Sequence, residues 1–447
     1  MAEINEKLAV ERFQAMLRKR TVSDRDGNFD REVFASYLPM LKEMYPTVFE
    51  VVESQLINEF GIVLKWKGKD SSLNPVVLMS HYDVVGDEGQ DWKHPAFEAE
   101  IHDGVIWARG SIDTKGLLAA TLEAMEKLIA EGYTPPRDIY YCSSNCEEVA
   151  GDTMKIIVEW FEENNIKPWF VLDEGGAIME DLPMGIKTPF AMVAVSEKGW
   201  ATVKLKATAT GAAPAAKATK ANSKLSAPQK IVKALAALEK SPTRSTITGQ
   251  LEGMLKSFGP YVDEPLKSVF KNINLVKPVL KKVLETNADT AAMIRTMITL
   301  VDIDAKSENG KKIATEATAT LRLRIAPQDS LEYIVGHIQK VVGEDIEVTT
   351  EDVSLPPRIS DHNTESFRYI ESTIKKVYPH VGVAPFVLNA FTDSRFFARI
   401  CPEVYRFGAF SLDNERFDSV HNANERMPVK DYLKAIDFYA EFLKNLK

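Results

Sequence analysis

VVLMSHYD, residues 76–83, carries an apolar, β-branched run straight into His81 and Asp83, so a buried strand is expected to end on a histidine and a carboxylate. DIYYCSS (138–144) and WFVL (169–172) are runs of the same kind. Between the first two, LLAATLEAMEKLIAEG (117–132) repeats apolar residues at spacings of three and four and stops at a glycine, which is the pattern of a helix. Strand and helix in alternation predict βαβ units, hence an α/β fold with a mostly parallel sheet covered by helices on both faces.

At 447 residues the chain exceeds the size at which a single core stops growing, so two domains are expected. A different pattern starts near Lys198. WATVKLKATATG (200–211) and IATEATATLRLRIAP (313–327) alternate with period two, as half-exposed antiparallel strands do, and IVKALAALEK (231–240) reads as a short helix between them. Residues 249–300 read as a helical insert, with GMLKSFGPYVDEPLKSVFKNI (253–273) and VKPVLKKVLETN (276–287) inside it. After Pro327 the first pattern returns, ending in the amphipathic VKDYLKAIDFYAEFLKNL. The expected arrangement is one α/β domain made of residues 1–197 and 328–447, with a smaller α+β domain, 198–327, inserted in it. The Ala/Lys/Thr-rich stretch 207–224 reads as a flexible loop.

Composition is that of a soluble protein, 45% hydrophobic and 27% charged, with no apolar run near the ~20 residues that a membrane span needs. The N-terminal MAEINEKLAVERFQAMLRKR mixes both charges along a helical pattern, unlike a signal peptide. Three cysteines, Cys142, Cys146 and Cys401, are too few for a disulfide framework and fit a reducing compartment. A net charge of -9 argues against nucleic acid or an anionic membrane as partner. The expectation is a cytoplasmic protein. One region departs from the acidic average: between Glu197 and Glu239 every charged residue is basic. It reads as a solvated lysine face or as a lid that attracts an anionic substrate.

Each strand end carries acids. VVLMS leads to His81 and Asp83, DIYYCSSN to Glu147 and Glu148, and WFVL to Asp173 and Glu174. Ligands of open α/β sheets bind outside the carboxyl ends of the strands, so these groups should share one crevice. Asp113, in the turn ARGSIDTKG before a helix, adds to it. Like carboxylates buried together cost several kcal/mol unless cations neutralise them, and divalent metal is the simplest remedy. Imidazole with carboxylate suits Zn²⁺ best, with Mn²⁺ or Co²⁺ next. His421, in VHNANER after the apolar YRFGAF, supplies a second imidazole.

SHYDVV (80–85), WKHPAFEAEIHDGVIWARGSIDTKG (92–116), NCEEVAG, LDEGG, FTDSRFF (391–397) and VHNANERMPV (420–429) resemble, in this order, the co-catalytic zinc peptidases that include aminoacylase, glutamate carboxypeptidase and succinyl-diaminopimelate desuccinylase. The helical insert, TAAMIRTMITL and YRFGAFSL are most similar to the carboxypeptidase S branch. The resemblance implies two metal ions, one on His81 and Asp173, the other on Glu148 and His421, with Asp113 bridging both. It implies Asp83 as the residue that orients His81, Glu147 as general base, a cis peptide bond between Asp113 and Thr114, and an inserted lid domain of the kind that forms homodimers. The implied reaction is hydrolysis of a terminal amide, by a carboxypeptidase or dipeptidase acting on short peptides or by a deacylase acting on N-acyl amino acids.

Three positions depart from the family's pattern. Where the family's lid presents Gly-Gly-His-Ser this chain has TGAAPAAK (210–217), and no histidine stands between His102 and His337. Lys311 takes the place of an asparagine thirteen residues before the lid arginine, which is matched by Arg324. Phe396 stands where carboxypeptidase S relatives commonly have histidine. Losing one oxyanion donor typically costs ~10²–10³ in turnover. Arg324, Arg395 and Lys311 are the candidates for contact with a substrate carboxylate, the planar arginine fork being suited to it. The histidine-free lid also supports a rival reading, a metal-binding relative with little hydrolysis that is retained to bind a peptide or partner.

Overall fold

The computed structural model describes residues 5–24, 26–209, 225–307 and 313–447. The chain divides into two compact units, one of Met1–Val195, Gly253–Lys271 and Ile359–Lys447, the other of Ser196–Glu252 and Asn272–Arg358.

The first unit is built on a sheet of ten strands among the described residues. Its centre is parallel: Val76–His81 lies between Ile139–Ser144 and Phe170–Asp173, and Val404–Arg406 follows on the far side of the latter. Antiparallel strands extend it, Gly61–Trp66 and Glu53–Ile57 on one side and Phe190–Glu197 on the other. Every residue of Val76–His81 is buried. Val76 and Leu78 pack with Leu118 and Leu122 of the helix Lys115–Ala130, whereas Val77 and Met79 pack with Ile157, Val158 and Phe161 of the helix Thr153–Glu163. Successive side chains of a strand point to opposite faces, so a strand without a polar face requires cover on both. The first of these helices ends as the sequence suggests, with Gly132 in the left-handed region at φ 76°.

In the second unit four antiparallel strands stand in the order Met297–Asp304, Glu316–Ile325, Gly199–Thr208 and Ile346–Ser354. Alternate residues of Glu316–Ile325, among them Leu321 and Leu323, are buried against Ile231 and Ala234 of the helix Ala227–Glu239 and against Ile334 and Ile338 of the helix Leu331–Val342. This is the expected α+β style, with different limits. The second unit runs on to Arg358 rather than stopping at 327, because Ile346–Ser354 pairs with Gly199–Thr208 and Leu331–Val342 covers the same sheet. Residues 253–271 of the expected helical insert belong instead to the first unit, where Phe258 and Tyr261 set their rings edge-on to Phe190. From Met297 the insert is strand, paired with Glu316–Ile325. Among the described residues no helix is long and apolar enough to cross a membrane.

Candidate metal centre

His81 is the last residue of its strand and is 2% exposed. Its Nε2 lies 2.9 Å from Asp113 Oδ1, and the other oxygen, Oδ2, lies 2.9 Å from Nε2 of His421. The same His421 nitrogen is 3.0 Å from Glu148 Oε2. His81, Asp113 and Glu148 each offer a donor atom within 4.8 Å of the others. Asp113 reaches this place from the turn between the strand Val105–Trp107 and the helix Lys115–Ala130, through Gly110 at φ 81° and a cis bond to Thr114. A Cβ on Gly110 would fall 2.8 Å from Val84 Cγ1, so both space and backbone demand glycine there. His421 and Asn424 are themselves left-handed, at φ 61° and 68°, in the loop that turns the imidazole toward Asp113.

The protons on the two imidazoles follow from their partners. His81 Nδ1 lies 2.9 Å from the main-chain carbonyl of Asp83, which can only accept, so Nδ1 carries the hydrogen. Nε2 then faces the carboxylate oxygen of Asp113, another acceptor, and a positive charge must lie on that line: a second proton or a metal ion. Burial alone would depress the His81 pKa, but the hydrogen bonds to Asp113 and Asp83 raise it well above the ordinary imidazole range. Asp113 and then Glu148 push His421 up to about 11. Burial raises Glu147 well above the usual carboxyl range, with His81 opposing, and raises Glu148 and Asp173 as well. Two imidazoles set among carboxylates form, once their protons are given up, a donor set that a borderline divalent cation fits.

Asp83 does more than face His81. Its Oδ1 is 3.4 Å from His81 Nδ1, farther than its own carbonyl, and the carboxylate accepts the main-chain N–H groups of Glu147 at 3.1 Å and Glu148 at 3.2 Å. Glu147 Oε2 is thereby set 3.9 Å from His81 Nε2. Asp173 stands at the end of the neighbouring parallel strand, outside the cluster of mutual contacts, and its Oδ2 accepts the N–H of Ser394 at 2.9 Å. Glu425 went unread in the sequence. Its buried carboxylate takes Arg109 Nη1 at 2.8 Å and the main-chain N–H groups of Gly110, Ile112 and Asp113 at 3.0, 2.8 and 3.1 Å. Asp393 was also missed: it is buried, accepts the Ser144 hydroxyl, and is pushed up to about 7 by burial, with Arg395 opposing.

The sequence profile of peptidase family M20/M25/M40 matches residues 77–445. The chain belongs to this family. Probable carboxypeptidase S-like 2 of Dictyostelium discoideum is 32% identical over 431 residues, covering 95% of this chain and 81% of that protein. N-fatty-acyl-amino acid synthase/hydrolase PM20D1 of Mus musculus is 28% identical over 450 residues, covering 98% and 88%. Among solved structures, an M20 family metallo-carboxypeptidase from Sulfolobus solfataricus aligns with a TM-score of 0.68 at 19% identity and covers 99% of both chains, a likeness of fold. The chain is thus an M20 enzyme, a hydrolase of the carboxypeptidase S branch in a metal-dependent family.

Of the residues expected to meet substrate, Arg395 and Arg324 are among the described residues. Arg395 is in the first unit, where its guanidinium lies over the rings of Phe396 at 4.4 Å and Phe391 at 5.1 Å and its Nη1 donates to the Thr392 carbonyl at 2.8 Å. Phe396, the departure from the branch's pattern, is therefore a face on which the arginine rests. Arg324 belongs to the second unit, opposite Trp200 and Met297 in its sheet. Beside it, buried Lys198 donates to the Ala292 carbonyl, and burial followed by the Arg324 charge lowers its pKa to about 8. Lys311 and TGAAPAAK lie outside the described residues.

Proposed function

We propose that this enzyme hydrolyses the amide bond between an acyl or peptidyl group and a terminal amino acid that carries a free carboxylate. The two named relatives differ in the acyl half, a peptide for a carboxypeptidase and a fatty acyl group for the N-fatty-acyl-amino acid enzyme, and share the other half. The supporting observation is Asp113, with one oxygen on each of two imidazoles and Glu147 beside the first.

In this reading His81 and Asp173 would hold one divalent ion, Glu148 and His421 the other, and Asp113 both. Zinc is the first choice, manganese or cobalt the next. Bound there, the ions would supply Lewis acidity to the scissile carbonyl and acidify the attacking water. Glu147 removes that water's proton as its oxygen bonds to the carbonyl carbon. It returns the proton to the nitrogen as the C–N bond breaks, and an acid and an amine leave. A carboxyl group whose pKa burial has raised suits both halves of that exchange. Arg395, in the same unit as these residues, is the proposed contact for the substrate carboxylate.

A panel of dipeptides, N-acyl amino acids and the same N-acyl amino acids as terminal amides, each assayed with Zn²⁺, Mn²⁺ or Co²⁺, tests this. The free carboxylates should be preferred by about tenfold or more, since a hydrogen bond to a charged group contributes about 1.5–3 kcal/mol. Equal turnover of the amides would remove the carboxylate from the proposal, and no turnover on any member of the panel would remove the reaction.

A further inference from the structure

We propose a second, solvent-facing metal site formed by His94, Glu100 and His102, taking a divalent transition ion of the zinc or copper type. Glu100 and His102 lie two residues apart on the strand Glu100–His102 and so share one face. That strand pairs with Val105–Trp107, which pairs in turn with Arg426–Pro428. His94 comes from the preceding loop and stacks on His102 with centroids 3.7 Å apart and planes at 17°, its ring also 4.9 Å from Trp107. Both imidazoles turn a nitrogen to one carboxylate oxygen: Glu100 Oε2 is 2.7 Å from His102 Nε2 and 3.6 Å from His94 Nδ1. The donor atoms of all three lie within 4.8 Å of one another.

Two imidazoles and a carboxylate are a zinc donor set that leaves positions for water. As exposed ion pairs the same residues would contribute little to stability. The His94, His102 and Glu100 side chains are 26%, 43% and 45% exposed, so the group is open to an ion from solvent. Occupancy would tie the His94 loop to the hairpin. Both flank the centre's scaffold: Lys93 donates its N–H to Asn424 Oδ1 at 2.8 Å, and the strand Val105–Trp107 leads into the turn that carries Asp113.

The full chain is dialysed against Zn²⁺ and its metal counted, alongside His94→Asn, His102→Asn and, as a control, His380→Asn, which removes an exposed histidine elsewhere on the surface. Wild type and His380→Asn should each hold one ion more than His94→Asn or His102→Asn, and turnover at low zinc should be the same in all four. With Cu²⁺ as probe, the nitrogen splitting of the surface ion's electron paramagnetic resonance should be lost in the two site variants. Equal ion counts in the four chains would overturn the site, and so would an equal loss in His380→Asn. The difference between chains survives even if the centre at Asp113 takes no metal, so the two readings fail separately.

Discussion

The carboxylate of Asp83 accepts the main-chain N–H of Glu147, with Oδ1 at 3.1 Å. Its other oxygen takes the N–H of Glu148 at 3.2 Å and the hydroxyl of Ser23 at 2.7 Å, while the Asp83 carbonyl fixes the His81 ring. One residue thus aligns an imidazole, the proposed base and a proposed metal donor. Asp83→Asn keeps the shape but turns a donor toward an N–H group. Metal affinity or kcat should fall by ~10–100-fold, as is usual when a ligand's supporting carboxylate is altered. A variant with wild-type kcat and metal content would leave Asp83 without this role.

Glu147 and Glu148 are neighbours with different surroundings, the first near His81 and the second on His421. Glu147→Gln should retain its metal and substrate affinity and lose ~10²–10⁴ in kcat. Glu148→Gln should lose metal. Equal metal loss in the two variants, measured by elemental analysis, would show the pair assigned the wrong way round.

Glu425 and Arg109 are a buried ion pair, each 1% exposed, and the same carboxylate holds three N–H groups of the Asp113 turn. Removing one partner of a buried pair costs about 3–5 kcal/mol. Glu425→Ala should show that loss in urea unfolding of the metal-free chain, together with weaker metal binding. Stability within about 0.5 kcal/mol of wild type would mean that the turn holds itself.

The histidines give metal binding a pH dependence of known sign. An unfolded imidazole titrates near ~6.5, whereas Asp113 and Glu148 push His421 up to about 11. In the metal-free chain this stabilisation is full below about pH 6.5 and is lost as pH rises through about 11. A metal takes the deprotonated ring, so uptake near neutrality releases protons and affinity climbs with pH. Zinc competition titrations at about pH 6.5 and about pH 8.5 should show tighter binding at the higher value. No difference would mean that no proton leaves.

The strand ends were legible because VVLMS, DIYYCSS and WFVL are continuous apolar runs, and a residue such as His81 at the end of one has a definite place in a parallel sheet. Glu425 was not, since its partner Arg109 is 316 residues away and neither neighbourhood hints at the other. The strand Ile346–Ser354 escaped for a different reason: only Ile346 in it is fully buried, and Glu347, Glu351 and Asp352 face solvent, so no apolar alternation marks it. That omission placed the end of the inserted unit too early. The main-chain role of Asp83 was equally hidden, because a carbonyl contact depends on how the chain turns after His81 and not on which side chain follows it.

A dinuclear centre built on Asp113 fixes how many ions the chain holds. Counted by elemental analysis in a His102→Asn background, so that the surface site does not contribute, the chain supplied with Zn²⁺ should hold about two ions. His81→Ala should lose mainly one of them, and Asp113→Ala should lose both, because each Asp113 oxygen serves a different histidine. A chain that holds one ion or none after Zn²⁺ is supplied, or an Asp113→Ala chain that keeps both, would contradict the dinuclear account.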